Sequence, residues 1–296
     1  MAITPFPDGV SSFGVPVLPA LGGLMTTGKV FFVDSNLGNN GRNGRSPEQA
    51  LASIVNALTR CTANKGDTIV VMPGHTETIS AAGTLTAIAG VTVVGLGSGT
   101  LKPTLTWSAT GSTFAISAAN FRLINVNCKV SVDSVVVMFP VTAAGFVMDG
   151  VDFIETASAQ ALIFLNTTAA GTGLTIRNCK HRQVAAGATK WIDLVGADRA
   201  VIENCFIHVN ASTHVIGGTT TESLQVLLQN LVTVNEADAA CILMLASTTG
   251  FANNCRSGGA KSAVAAMNAF ASMYAAECYS SNDANKNGLL DPTVSS

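Results

Sequence analysis

Short apolar pieces recur along most of this chain, and each closes on a turn residue. Between Phe121 and Tyr279 nearly the same phrase returns seven times: FRLINVNC, FVMDGVDF, LTIRNCKH, VIENCFIH, LLQNLVTV, FANNCRSG and YAAECYSS. Aligned on one column, they place Asn125, Gly150, Asn178, Asn204, Asn230, Asn254 and Glu277 in register, at steps of 25, 28, 26, 26, 24 and 23 residues. The next column reads Val126, Val151, Cys179, Cys205, Leu231, Cys255 and Cys278. A second short apolar piece follows within each coil: Phe114–Ile116, Leu162–Leu165, Trp191–Ile192, His214–Ile216, Cys241–Met244 and Val264–Met267. No stretch of helical period separates these pieces, which argues against a leucine-rich horseshoe or a βαβ sheet. A repeat in the twenties built from strands and turns is a solenoid of stacked coils. The pattern predicts an all-β parallel β-helix of about eight coils, a rod roughly 40 Å long at the usual strand spacing.

The turn column has a physical reason. A stacked turn residue must take a left-handed backbone, which Asn and Gly adopt at low cost. Asn amides stacked at strand spacing can also hydrogen-bond along the axis. The residue after each turn is expected to point inward, which suits Val, Cys and Leu.

The first 66 residues read differently. Residues 1–28 form an arm in which Pro5, Pro7, Pro16 and Pro19, with four glycines, forbid a stable helix. Its apolar side chains, Phe6, Phe13, Val15, Val17 and Leu18 among them, need a surface to lie on: either the chain's own solenoid or a partner. KVFFVD (29–34) predicts a strand and DSNLGNNGRNG a loop. Ser46-Pro47-Glu48 predicts a helix start, with Ala50, Leu51, Ile54, Val55 and Leu58 as one apolar stripe. That helix is the expected lid over the solenoid's first coil. The β-helix then runs over 67–280, with strands at 67–74 and 91–97 and Gly95 in the slot held later by Asn; 281–296 is a tail.

Apolar residues make up 48% of the chain and charged residues only 11%, with a formal net charge of −2 and mean hydropathy of +0.40. So weakly charged an exterior suits a subunit that covers much of itself with copies or partners. The scattered basic residues argue against nucleic-acid binding. No apolar run has the length of a membrane span, and the N-terminal segment lacks the pattern of a signal peptide. The seven cysteines form no C-x-x-C pair, so they read as reduced core residues and not as a metal or redox site.

Each candidate for chemistry has a plainer reading. Asp149 with Asp152, and Asp193 with Asp198, are possible carboxylate pairs, though the first sits at a coil turn. His181 and His208 lie about one coil apart, which predicts a solvated surface pair. Gly95-Leu-Gly97-Ser-Gly99 has the glycines of a phosphate loop but no helix predicted after it. Asp283–Asp291 fits the first nine places of a calcium loop, but Val294 replaces the bidentate Glu. Only two Trp and two Tyr are present, few for a glycan groove. The expectation is no catalytic residue, no cofactor and no bound metal.

The L/I-x-x-N-C pattern and the lid helix resemble the right-handed parallel β-helices of the pectate-lyase-like superfamily. GKVFFVDSNLGNNGRNGRSPEQALASIVNAL, then GDTIVVMPGHTETI, is similar to the opening of β-helical virion proteins of tailed bacteriophages, and PFPDGVSSFGVPVLP is also phage-like. The superfamily includes polysaccharide lyases and hydrolases. Trp191-Ile192-Asp193 echoes a pectate-lyase signature, but Leu194 replaces its His, and the Arg-x-Pro-x-x-Arg and Asp-Asp motifs are absent. The resemblance therefore implies a non-enzymatic virion protein made in the host cytoplasm. The expected form is a homotrimeric capsid decoration or cement protein, whose arm anchors it on the major capsid protein or another virion protein. A tail spike or fibre acting on host glycan is the alternative.

Overall fold

The computed structural model describes residues 10–12, 15–18, 24–25, 28–182, 187–260, 267–282 and 289–291. A parallel β-solenoid of about eight turns makes up the body. Three sheets run along it. The first has ten strands, from Val30–Val33 to Tyr274–Ala276, all parallel. The second also has ten, from Thr76–Ile79 through Cys278–Asn282 to Leu289–Asp291. Its last strand alone pairs antiparallel. The third has six, from Phe139–Val141 to Asn268–Ala269. The strand at 30–33 is thus the terminal rung of the first sheet.

The turn column separates the first sheet from the second. Asn125, Asn178, Asn204, Asn230 and Asn254 have φ between 49 and 55°, Gly150 has 63° and Glu277 has 54°. Amides run along the stack: Asn254 Nδ2 donates to Asn230 Oδ1 (2.9 Å) and Asn230 Nδ2 to Asn204 Oδ1 (3.0 Å). Further down, Asn178 Nδ2 donates to Asp149 Oδ1 at 2.8 Å. Gly95 departs from the expectation. It stands in register with Asn125, but the left-handed turn lies at Gly97, φ 93°, because a longer loop leads to the next strand. A short 3-10 turn, Gly99–Leu101, follows.

The cysteine column is buried and reduced. Each thiol also donates to the carbonyl two residues back: Cys179 to Arg177, Cys205 to Glu203, Cys255 to Asn253 and Cys278 to Ala276, at 3.2–3.5 Å. Cysteine thus adds a weak donor at the bend. Burial pushes the Cys179 thiol well up. At Cys255 a hydrogen bond with Cys278 comes first and burial second, again upward.

The lid differs from its prediction. Pro47–Gln49 forms a single 3-10 turn, and the α-helix, α1, spans only Ile54–Arg60. The reason is tertiary: Leu51 bridges in parallel to Val33, so residues 50–53 stay extended and extend the terminal rung. Ser53 then caps α1, its Oγ accepting from Asn56 N at 3.2 Å. Ile54, Ala57 and Leu58 are buried in the solenoid core. Of the arm, only backbone strands Val10–Ser12, Val15–Leu18 and Leu24–Met25 are described. Phe6 and Phe13, residues 261–266 and residues 283–288 of the calcium-loop-like segment lie outside the described residues.

Candidate functional site

The third-sheet strands Ala188–Asp193 and Ala211–Gly217 bring together a base, an acid and a lysine. Lys190 Nζ meets Asp193 Oδ2 at 2.7 Å. His214, in register with Lys190, sits fully buried with Nε2 3.2 Å from the Ile192 carbonyl and 3.9 Å from Asp193 Oδ1. Burial drives its pKa down to about 4 against the pull of the Asp193 carboxylate. The imidazole is therefore neutral at pH 7 and donates to a carbonyl. Asp198 lies apart, its Oδ1 accepting from Leu224 N at 2.8 Å. The Trp191 ring of the signature echo is buried in the core, edge-on to Phe153 at 5.9 Å. What remains, among the described residues, is one largely buried ion pair beside a neutral histidine, with no second carboxylate paired to it.

The other expected pair is divided between two cations. Asp149 Oδ2 meets Arg177 Nε at 2.9 Å on the first sheet. Asp152 Oδ2 meets the nearly buried Lys102 Nζ at 2.8 Å on the second, and that ammonium also donates to the Gly150 carbonyl. Asp149 ties adjacent coils together, and Asp152 reaches past the Asn127 rung to a lysine two coils away.

His181 and His208 do not face each other. Register pairs Arg182 with His208 and His181 with Ile207, so alternation sends one inward and the other outward. His181 is buried between the Phe153 and Phe164 rings and meets Glu155 at 3.1 Å, while His208 meets Glu236 at 2.5 Å. Sequence reading missed a second buried pair, His75 with Glu77 at 3.1 Å. Both glutamates also hold backbone. Glu77 accepts from Ile54 N (2.7 Å) at the start of α1, and Glu155 from Ala161 N (2.6 Å). Stacking brings Glu155 to His181 from the neighbouring coil, whereas Glu77 lies only two residues from His75. Among the described residues, no group of three or more His, Cys, Asp or Glu could hold a metal ion. None of the described helices is long and apolar enough to cross a membrane. A cavity of about 450 Å³ beside the lid is lined by Lys29, Arg45, Thr62, Lys65 and Asp67, but the carboxylate is already taken by the Lys29 and Thr62 amides.

The outer faces carry a clearer signal. Three places before each turn, the first sheet presents Arg122, Val147, Thr175, Val201, Leu227, Phe251 and Tyr274 as one in-register column. Two places after each turn, the second sheet presents Asn127, Asp152, Lys180, Phe206, Val232, Arg256 and Tyr279. Apart from Val147 and Arg256, both columns are polar or charged in the first coils and apolar or aromatic in the last. Tyr274 is 77% exposed, Phe206 and Tyr279 47% each, and Phe251 42%.

No family model and no curated protein matches this sequence. Among solved structures the chain is similar to a rhamnogalacturonan lyase, with a TM-score of 0.55 at 12% identity over 79% of this chain and 70% of the other. A GH136 lacto-N-biosidase from Eubacterium ramulus aligns with a TM-score of 0.40 at 8% identity, over 86% of this chain and 68% of the other. The first likeness places the chain in the parallel β-helix fold. At that identity it carries over the architecture alone.

Proposed function

We propose that this chain is a non-enzymatic structural subunit of a tailed-phage virion: a homotrimeric decoration or cement protein whose β-helix stands on the particle and whose N-terminal arm anchors it to the capsid protein. The observation that carries the reading is the contrast between its charges and its aromatics. The ionisable side chains of the candidate clusters are taken up in ion pairs, most of them between coils, whereas four aromatic rings stand free on the outer faces. An enzyme cleft gathers unpaired acids and bases, while a subunit surface gathers unpaired rings. The opening segment's similarity to phage β-helical virion proteins and the low charge of 11% support the same reading.

A protein of this kind works by burial. An interface of about 1,600 Å² is a standard specific contact, and an obligate trimer buries several times that. The arm, with its apolar residues and its prolines, suits an extended segment that lies along a partner. Deleting residues 1–27 should leave a folded β-helix by circular dichroism and abolish binding to particles. Electron microscopy of particles with and without the protein should place its density on capsid faces. Full occupancy by the truncated chain, or density only at the tail tip, would overturn the reading.

A further inference from the structure

We infer that the two outer columns flanking the Asn bend are a single self-assembly interface: the first-sheet column of one copy packs against the second-sheet column of the next, with copies parallel and at equal height. The inference deepens the oligomeric part of the proposed function and is independent of any virion.

Register supplies the argument. Each coil places one residue of either column a few positions apart across the same turn, so the columns match row by row. The last four rows read Val201 with Phe206, Leu227 with Val232, Phe251 with Arg256, and Tyr274 with Tyr279. Because every strand pair here is parallel and without a register shift, both columns are straight lines along the rod. A straight apolar line is best covered by another straight line at the same height, and a parallel copy supplies one. A rotation axis along the rod repeats the contact and closes a ring, leaving neither column uncovered.

The chemistry of the rows agrees. Aliphatic residues would meet an aromatic or aliphatic residue in two rows, and tyrosine would meet tyrosine in a third. The one cation in the last four rows of the second column, Arg256, stands at the height of Phe251, where the next copy's guanidinium would lie over an exposed ring. Arg256 has no ion pair among the described residues. The next positions along the first sheet are Glu203, Gln229, Asn253 and Ala276, of which only Glu203 is charged. The four exposed rings present together roughly 400 Å², taking the usual area of an aromatic side chain. Each contact would gather two of these rings from either copy, which is about a quarter of a standard interface of roughly 1,600 Å², before the aliphatic rows are added.

Light scattering should give the purified protein a mass about three times its 30.2 kDa chain. A Phe251→Asp variant should fall to the mass of one chain with an unchanged circular dichroism spectrum. Orientation is read by cross-linking, since most native cysteines are buried. Tyr274→Cys and Tyr279→Cys proteins should each stay uncross-linked under a small disulfide oxidant, but give mixed dimers when co-refolded. Monomeric wild-type protein, an unchanged mass for Phe251→Asp, or Tyr274→Cys pairing with itself would each overturn the inference. So would loss of the oligomer on deleting residues 1–27 alone, which would assign the contact to the arm. A trimer that never appears on particles would instead count against the virion reading and leave this interface intact.

Discussion

The two halves of the solenoid use their aromatic residues in opposite ways. Up to Trp191 the rings are inside: Trp107, Phe114, Phe121, Phe139, Phe146, Phe153, Phe164 and Trp191 are all buried. They touch edge-on or tilted, as Trp107 with Phe139 at 5.2 Å and Phe153 with Phe164 at 5.5 Å. Over the same coils the outer columns carry Arg122, Asp152 and Lys180. Beyond Trp191 the order inverts. The interior is filled by Ile, Leu, Cys, Ala and Met, with Phe270 the one buried ring, while Phe206, Phe251, Tyr274 and Tyr279 stand outside. The backbone repeat and its hydrogen bonds are the same in both halves. The contrast shows that a solenoid separates two tasks that compete in a compact domain: any rung can place its large apolar side chains inward for stability or outward for association, without changing the fold.

The largest test of that contrast compares two phenylalanines. Phe153→Ala removes a ring that touches Phe164, Trp191 and His181 and should cost about 3–5 kcal/mol in urea unfolding. Phe251→Ala, measured on separated chains, should change stability by no more than about 0.5 kcal/mol. Equal losses would show that the outer column serves the core.

The next concerns the ionic cluster where the halves meet. His214 is held neutral, with its pKa lowered to about 4 chiefly by burial. An unfolded chain binds the proton near pH 6.5, so the folded state binds fewer protons between the two values. Its contribution to stability is fully present above pH 6.5 and is lost as pH falls toward 4, on the order of 3 kcal/mol in all. A His214→Gln variant, measured across the same window, should show a correspondingly flatter profile.

The smallest effect lies on the shared bend. Asn204 has φ of 54° and accepts the Asn230 amide. Asn204→Ala should cost about 1–2 kcal/mol through left-handed strain, and Asn204→Gly less. Equal costs would assign the stabilisation to the amide ladder and not to the backbone.

How much of this was legible depended on whether a residue's task is local. Left-handed turns select Asn and Gly wherever they occur, so the bend at Asn125 through Asn254 could be read from one line of sequence. The outward column ending in Phe251 and Tyr274 was equally present, three places before each turn, and needed only strand alternation to be seen. Parity also separates the histidines: His181 is three places after its turn Asn, and His208 four. The lid was illegible in part because Leu51 satisfies helical spacing and strand pairing equally, and only the presence of Val33 decides between them. Glu155 gave no signal, since stacking brings His181 to it from the next coil, whereas His75 and Glu77, two residues apart, needed only strand alternation to be paired.

The final strand of the second sheet, Leu289–Asp291, runs against the direction of Cys278–Asn282. A rod added end to end would have to continue a co-directional ladder across the junction. The reversed strand presents the opposite polarity at that edge, which makes it a poor template for such growth.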